Sequence, residues 1–186
     1  LQDAYGRAQA VYGPYETWFV NDSNYKDKVK RIGERLTEFM KVSKNCGLQT
    51  GKGCFSGVYC FLGDSAGDQS DDMQDDSYKF ILADGTSVGI FGSEGSMHIT
   101  VDIDGPNKGS SMYNMDIFAF SMVNNEILPV GYNLTGNLLK SNQCNSSEGC
   151  TAWVIKNDNM DYLKADNSGK CSNGVQLNWD TQTTCK

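Results

Sequence analysis

Apolar residues at the start of the chain recur at three- and four-residue spacing: Leu1, Ala4, Tyr5, Ala8, Val11, Tyr12 and Tyr15. That rhythm gathers them on one face of an α-helix, and Pro14 bends or ends it because its ring blocks the preceding turn. A second stripe, Tyr25, Val29, Ile32, Leu36, Phe39 and Met40, predicts a helix over about 25–43, capped by Asp22 or Ser23. From Cys46 the helical period stops. The stretch NCGLQTGKGCFSGVYC is rich in glycine and reads as a loop or short irregular strands. DSAGDQSDDMQDDS, residues 64–77, reads as a solvated loop or a calcium-binding one. Strand-like runs follow at 78–82, 86–91, 97–103 and 116–122, and Ala83-Asp84-Gly85 supplies a tight turn between the first two. A sheet of this kind needs a partner on its apolar face, and the N-terminal helix is available. The expected fold is therefore α+β: an N-terminal amphipathic helix packed on an antiparallel β-sheet of about four strands, with disulfide-linked loops, forming one domain over 1–186. The polar last third is interrupted by CTAWVIKNDNMDYLKAD (150–166), a short strand or helix that tucks its aromatics inward.

Composition changes this picture at two points. Hydrophobic residues are 39% of the 186, charged residues 21%, and the net charge is -7. The positive charges are dispersed except for KDKVKR at 26–31, so no nucleic-acid partner is expected, since phosphate binding needs concentrated positive charge. Seven cysteines (Cys46, Cys54, Cys60, Cys144, Cys150, Cys171 and Cys185) are many for this length. No CxxC pair occurs and His98 is the only histidine, so disulfides in an oxidising compartment are expected rather than structural zinc. Cys144–Cys150 and Cys171–Cys185 are the preferred pairs, and an odd count leaves one thiol free or joined to another molecule.

Candidate chemistry concentrates in VDIDGPNKGSSMYNMDIFAF, residues 101–120. Asp102 and Asp104 lie two apart at a strand end, Gly105-Pro106 turns the chain, and Asp116 returns a third carboxylate. Hard oxygen donors on a turning loop suit calcium, with Asp102, Asp104, Asn107 and Asp116 as ligands, although no glutamate closes an EF-hand. The alternative is a turn in which Asp and Asn side chains accept from backbone amides. No enzyme is expected: one histidine supports no nucleophile–base arrangement, GxSxG is absent, and GSEGS (92–96) lacks the glycine positions of a phosphate loop. His98 reads as a strand residue on a solvent face. Trp18, Trp153 and Trp179 read as packing residues, with a sugar-binding face as the other option.

LQDAYGRAQAVY, FILADGTSVGI, VDIDGPNKG followed by DIFAF, and CTAWVIKNDNMDYLK together resemble the type IV pilin and type II secretion pseudopilin superfamily of bacteria. The resemblance covers nearly the whole chain and implies a globular head from which an N-terminal hydrophobic helical segment is missing. It implies a filament subunit of a pilus or secretion pseudopilus, held in the inner membrane before assembly. Its partners would be copies of itself or related pilins, and its place the bacterial cell surface or an extracellular filament. Relatives carry a similar Asp loop, some with calcium, whereas this chain reads GSSMYNMD where a second Pro-Asn is usual. A secreted or pilus-tip adhesin-like binding module, with calcium-dependent carbohydrate binding, is the alternative.

Overall fold

A computed structural model describes residues 1–18, 24–49, 53–55, 59–62, 77–93, 96–106, 108, 111–145 and 147–186. Helix α1 (Gln2–Tyr12) stops where Gly13 adopts φ +81° and Pro14 follows, and a 3-10 turn, Tyr15–Thr17, comes next. Helix α2 (Tyr25–Thr37) is capped by Asn24, whose side chain accepts from the Asp27 N–H at 2.9 Å. The expected caps, Asp22 and Ser23, lie outside the described residues, as does most of the acidic stretch 64–77. Helix α2 ends six residues before the expected boundary at Ser43, because Val42 already belongs to a strand.

Six strands follow: β1 (Val42–Gly47), β2 (Tyr78–Leu82), β3 (Ser87–Ser93), β4 (Ser96–Asp102), β5 (Ile117–Val123) and β6 (Glu126–Pro129). They form one antiparallel sheet in the order β1-β2-β3-β4-β5-β6. Pairing Tyr78 with Ile90, Ile90 with Ile99 and Ile99 with Phe120 sets the register, so residues of one parity line one face. On that face Phe80, Val88, Ile90, Ile99, Met122 and Ile127 are buried with Tyr5, Ala8, Val29, Ile32 and Leu36 of the two helices. Helix α2 lies against β1, β2 and β3, while α1 packs on α2. The approach is close. A Cβ on Gly33 would stand 2.1 Å from the Tyr78 ring, so only a glycine fits there.

This architecture corrects the expected fold. The sheet has six strands, not about four, and the helix laid directly on it is α2 rather than the N-terminal helix alone. The two extra strands are both edges. Strand β1 carries polar Ser43, Lys44 and Asn45 and meets β2 through two register shifts, so it shows no clean alternation. Strand β6 is four residues long and ends at Pro129. It is joined to β5 by Asn124-Asn125, both with positive φ as a two-residue hairpin requires.

The sheet is also covered on its other face. Cys54, Phe55, Tyr59, Tyr113 and Ile117 form one cluster there, linked to β1 through Cys46–Cys54. The C-terminal third supplies the rest. Helices α3 (Lys140–Gln143) and α4 (Thr151–Asn157) and a 3-10 turn, Asp161–Lys164, surround a core of Leu138, Trp153, Tyr162, Leu177 and Trp179. Cys144–Cys150 and Cys171–Cys185 close that region, as the sequence led us to prefer. Cys60 is the free thiol. Helix α4 packs on β5 and β6, and the Thr151 hydroxyl accepts from the Ala119 N–H at 2.9 Å.

Candidate functional site

The loop between β4 and β5 is built from its ends inward. The Ile103 N–H donates to the Asp116 carbonyl at 3.0 Å and closes the neck. Gly105, at φ +80°, turns the chain against the β2–β3 hairpin, and a Cβ there would meet the Gly85 carbonyl oxygen at 2.4 Å. Asp102 Oδ1 accepts from the Gly105 N–H at 3.0 Å, and Asp116 Oδ1 accepts from the Met112 N–H. Two of the three carboxylates therefore hold backbone amides, the arrangement expected of a capped turn.

Asp102 itself is fully buried, Asp116 is nearly so, and Asp104 is half-buried. Asp102 Oδ2 and Asp104 Oδ1 are both shut off from solvent without a donor among the described residues. Burial pushes the Asp102 carboxyl up to about 7. A hydrogen bond with the Asp104 carboxyl and the charges of Asp104 and Asp116 contribute to that rise, against the pull of the Gly105 N–H. Burial and the neighbouring negative charges thus favour the neutral form of Asp102.

The strand parity that faces Asp102 inward also places Ser87 directly across from it and Thr100 two residues before it. Both hydroxyls are buried and without a hydrogen-bond partner among the described residues. Reading the strands only for apolar residues passed over this stripe: Thr100 and Asp102 share a parity within one strand, but Ser87 joins them only through the β3–β4 register. Asn114 was also passed over as a structural tie. It is fully buried at φ +62°, its side-chain amide donates to the Cys144 carbonyl at 2.7 Å and to the Ser147 carbonyl at 2.6 Å, and its own carbonyl accepts from the Tyr162 hydroxyl at 2.7 Å.

Of the four expected calcium ligands, Asp102, Asp104 and Asp116 come together at the loop, and Asn107 lies outside the described residues. Among the described residues no group of three His, Cys, Asp or Glu side chains is arranged to hold a metal ion. Calcium takes six to eight oxygens, and Asp102 Oδ2 and Asp104 Oδ1 are the solvent-shielded carboxyl oxygens here without a hydrogen bond. His98 is half-buried, hydrogen-bonded through Nδ1 to the Ser121 hydroxyl at 3.1 Å and stacked on Phe91, rather than standing free in solvent. All three tryptophans are buried. Each ring N–H donates within the protein: Trp18 to the Gly13 carbonyl, Trp153 to Asn159, and Trp179 to Gln143. They pack the two cores and present no face to a sugar.

No family model, curated protein or solved structure matches the chain.

Proposed function

We propose that the chain is a structural subunit of an extracellular or periplasm-spanning filament of the type IV pilus or type II secretion pseudopilus kind. It assembles with copies of itself or related pilins, through an apolar helical segment continuous with α1. The observation that carries this reading is the state of α1. Ala4, Tyr5 and Ala8 are buried against the body along one stripe of the helix. A helix clamped along one stripe to a cross-linked body is a suitable joint between a rod and its head. Three disulfides support export to an oxidising compartment, where such bonds persist.

The reading is tested on the coding sequence ahead of Leu1 and on cells. An apolar stretch of about 20 residues, long enough to cross a bilayer, after a short basic leader is the expected result. Its deletion should abolish filaments seen by electron microscopy. A conventional secretory signal peptide joined directly to this region would sink the filament reading.

A further inference from the structure

Three Asn-x-Ser/Thr triplets occur in the chain: Asn21-Asp22-Ser23, Asn133-Leu134-Thr135 and Asn145-Ser146-Ser147. Such a triplet accepts an N-linked glycan only where its asparagine amide and its hydroxyl are both open to a transferase. The first triplet lies outside the described residues. The third is engaged: the Asn145 amide donates to Asn167 Oδ1 at 2.9 Å, and the Ser147 hydroxyl donates to the Asn142 and Gln143 carbonyls.

The middle triplet differs in every respect. It sits in the turn that leads from β6 into the C-terminal region, held by the Leu134 N–H to the Gly131 carbonyl at 3.0 Å. Leu134 is partly buried against the C-terminal core, while Asn133 and Thr135 on either side are exposed. Neither exposed side chain makes a hydrogen bond among the described residues. The inward leucine thus acts as a pin that turns the amide and the hydroxyl out together. Tyr132, 51% exposed, adds an uncovered ring beside them.

We infer that Asn133 is an N-glycan acceptor whose donor is a polyprenyl diphosphate-linked oligosaccharide. Asn133 Nδ2 forms a bond to the anomeric carbon as that carbon's bond to the diphosphate oxygen breaks. The amide proton passes to a base of the transferase, the polyprenyl diphosphate leaves as an anion, and nothing is oxidised or reduced. The Thr135 hydroxyl is the recognition element. This inference rests on the reading that the chain is exported.

The test is intact-mass and peptide mass spectrometry of the full chain isolated from its own cells, with free thiols counted in the same sample. The expected result is a hexose-containing increment on the peptide holding Asn133, lost completely in Asn133→Gln and Thr135→Ala. It should be kept in Thr135→Ser and in Asn145→Gln. An increment that survives Asn133→Gln and disappears in Asn145→Gln overturns the inference, because exposure did not choose the site. An unmodified Asn133 in a chain with its three disulfides closed overturns it too, while leaving export intact. An unmodified chain with seven free thiols overturns both.

Discussion

The two faces of the sheet are closed by different physics. On one, Phe80, Val88, Ile90 and Ile99 meet Val29, Ile32 and Leu36, and the contact needs no polar tie. Its cohesion scales with apolar area removed from water, about 1.5–3 kcal/mol for each fully buried large side chain. The other face carries Lys79, Ser87, Thr100 and Asp102, all buried. Its cover is held by disulfides, by the Thr151–Ala119 and Asn114 hydrogen bonds, and by small aromatic clusters. Burying polar groups costs free energy, most where they lack partners as the Ser87 and Thr100 hydroxyls do among the described residues, so this cover must supply cohesion beyond apolar contact.

Reduction separates the faces most strongly. Breaking Cys144–Cys150 and Cys171–Cys185 should cost about 2–4 kcal/mol for each bridge. Amide hydrogen exchange would then show residues 130–186 opening while α2 and β2–β4 stay protected; uniform opening would mean that the faces unfold as one unit. Gly33→Ala comes next. Alanine is the better helix former, yet the added methyl collides with Tyr78, so urea denaturation should show a loss of about 1–3 kcal/mol. Replacing Tyr78 with valine in the same chain should recover part of that loss, and simple additivity would refute the contact.

The smallest effect lies on the polar face and depends on pH. Asp102 has its folded pKa raised to about 7, above the ordinary aspartate value. Its contribution is therefore fully present below the ordinary range and is lost as pH rises through 7. Stability should fall as pH rises from the ordinary aspartate range to about 7, and level off above it. Asp102→Asn should flatten the slope and leave the variant the more stable form above pH 7, as read from thermal melts across pH. A calcium-dependent rise in Tm at neutral pH that Asp102→Asn abolishes would put a cation between these carboxyls in place of the proton.

Much of the helix face was legible in the residues. The stripe from Tyr25 to Met40 locates the start of α2, but the helix expected from it overruns the end by six residues. The runs 78–82, 86–91, 97–103 and 116–122 locate four strands within a residue or two, because a single buried face imprints its period on the sequence. The edges were not legible. Strand β1 is held by its neighbour and by Cys46–Cys54 rather than by apolar alternation, and β6 is too short to show a period, although Asn124-Asn125 marks its hairpin. The Asp loop was recognisable as acidic and turning. That Asp102 would be the buried member, sharing its environment with Ser87 and Thr100, was not.

By itself, then, the sequence determined which segments become helix or strand where one face is buried, that a cross-linked chain was to be expected, and where the carboxylates cluster. These are properties of residues near one another in the chain. Only the tertiary structure decided which helix lies on the sheet, how many strands it has, and what covers the second face. Those outcomes depend on contacts such as Asn114 with Cys144, or Gly33 with Tyr78, between residues tens of positions apart. Their energies exist only once the chain has closed on itself, and no local period records them.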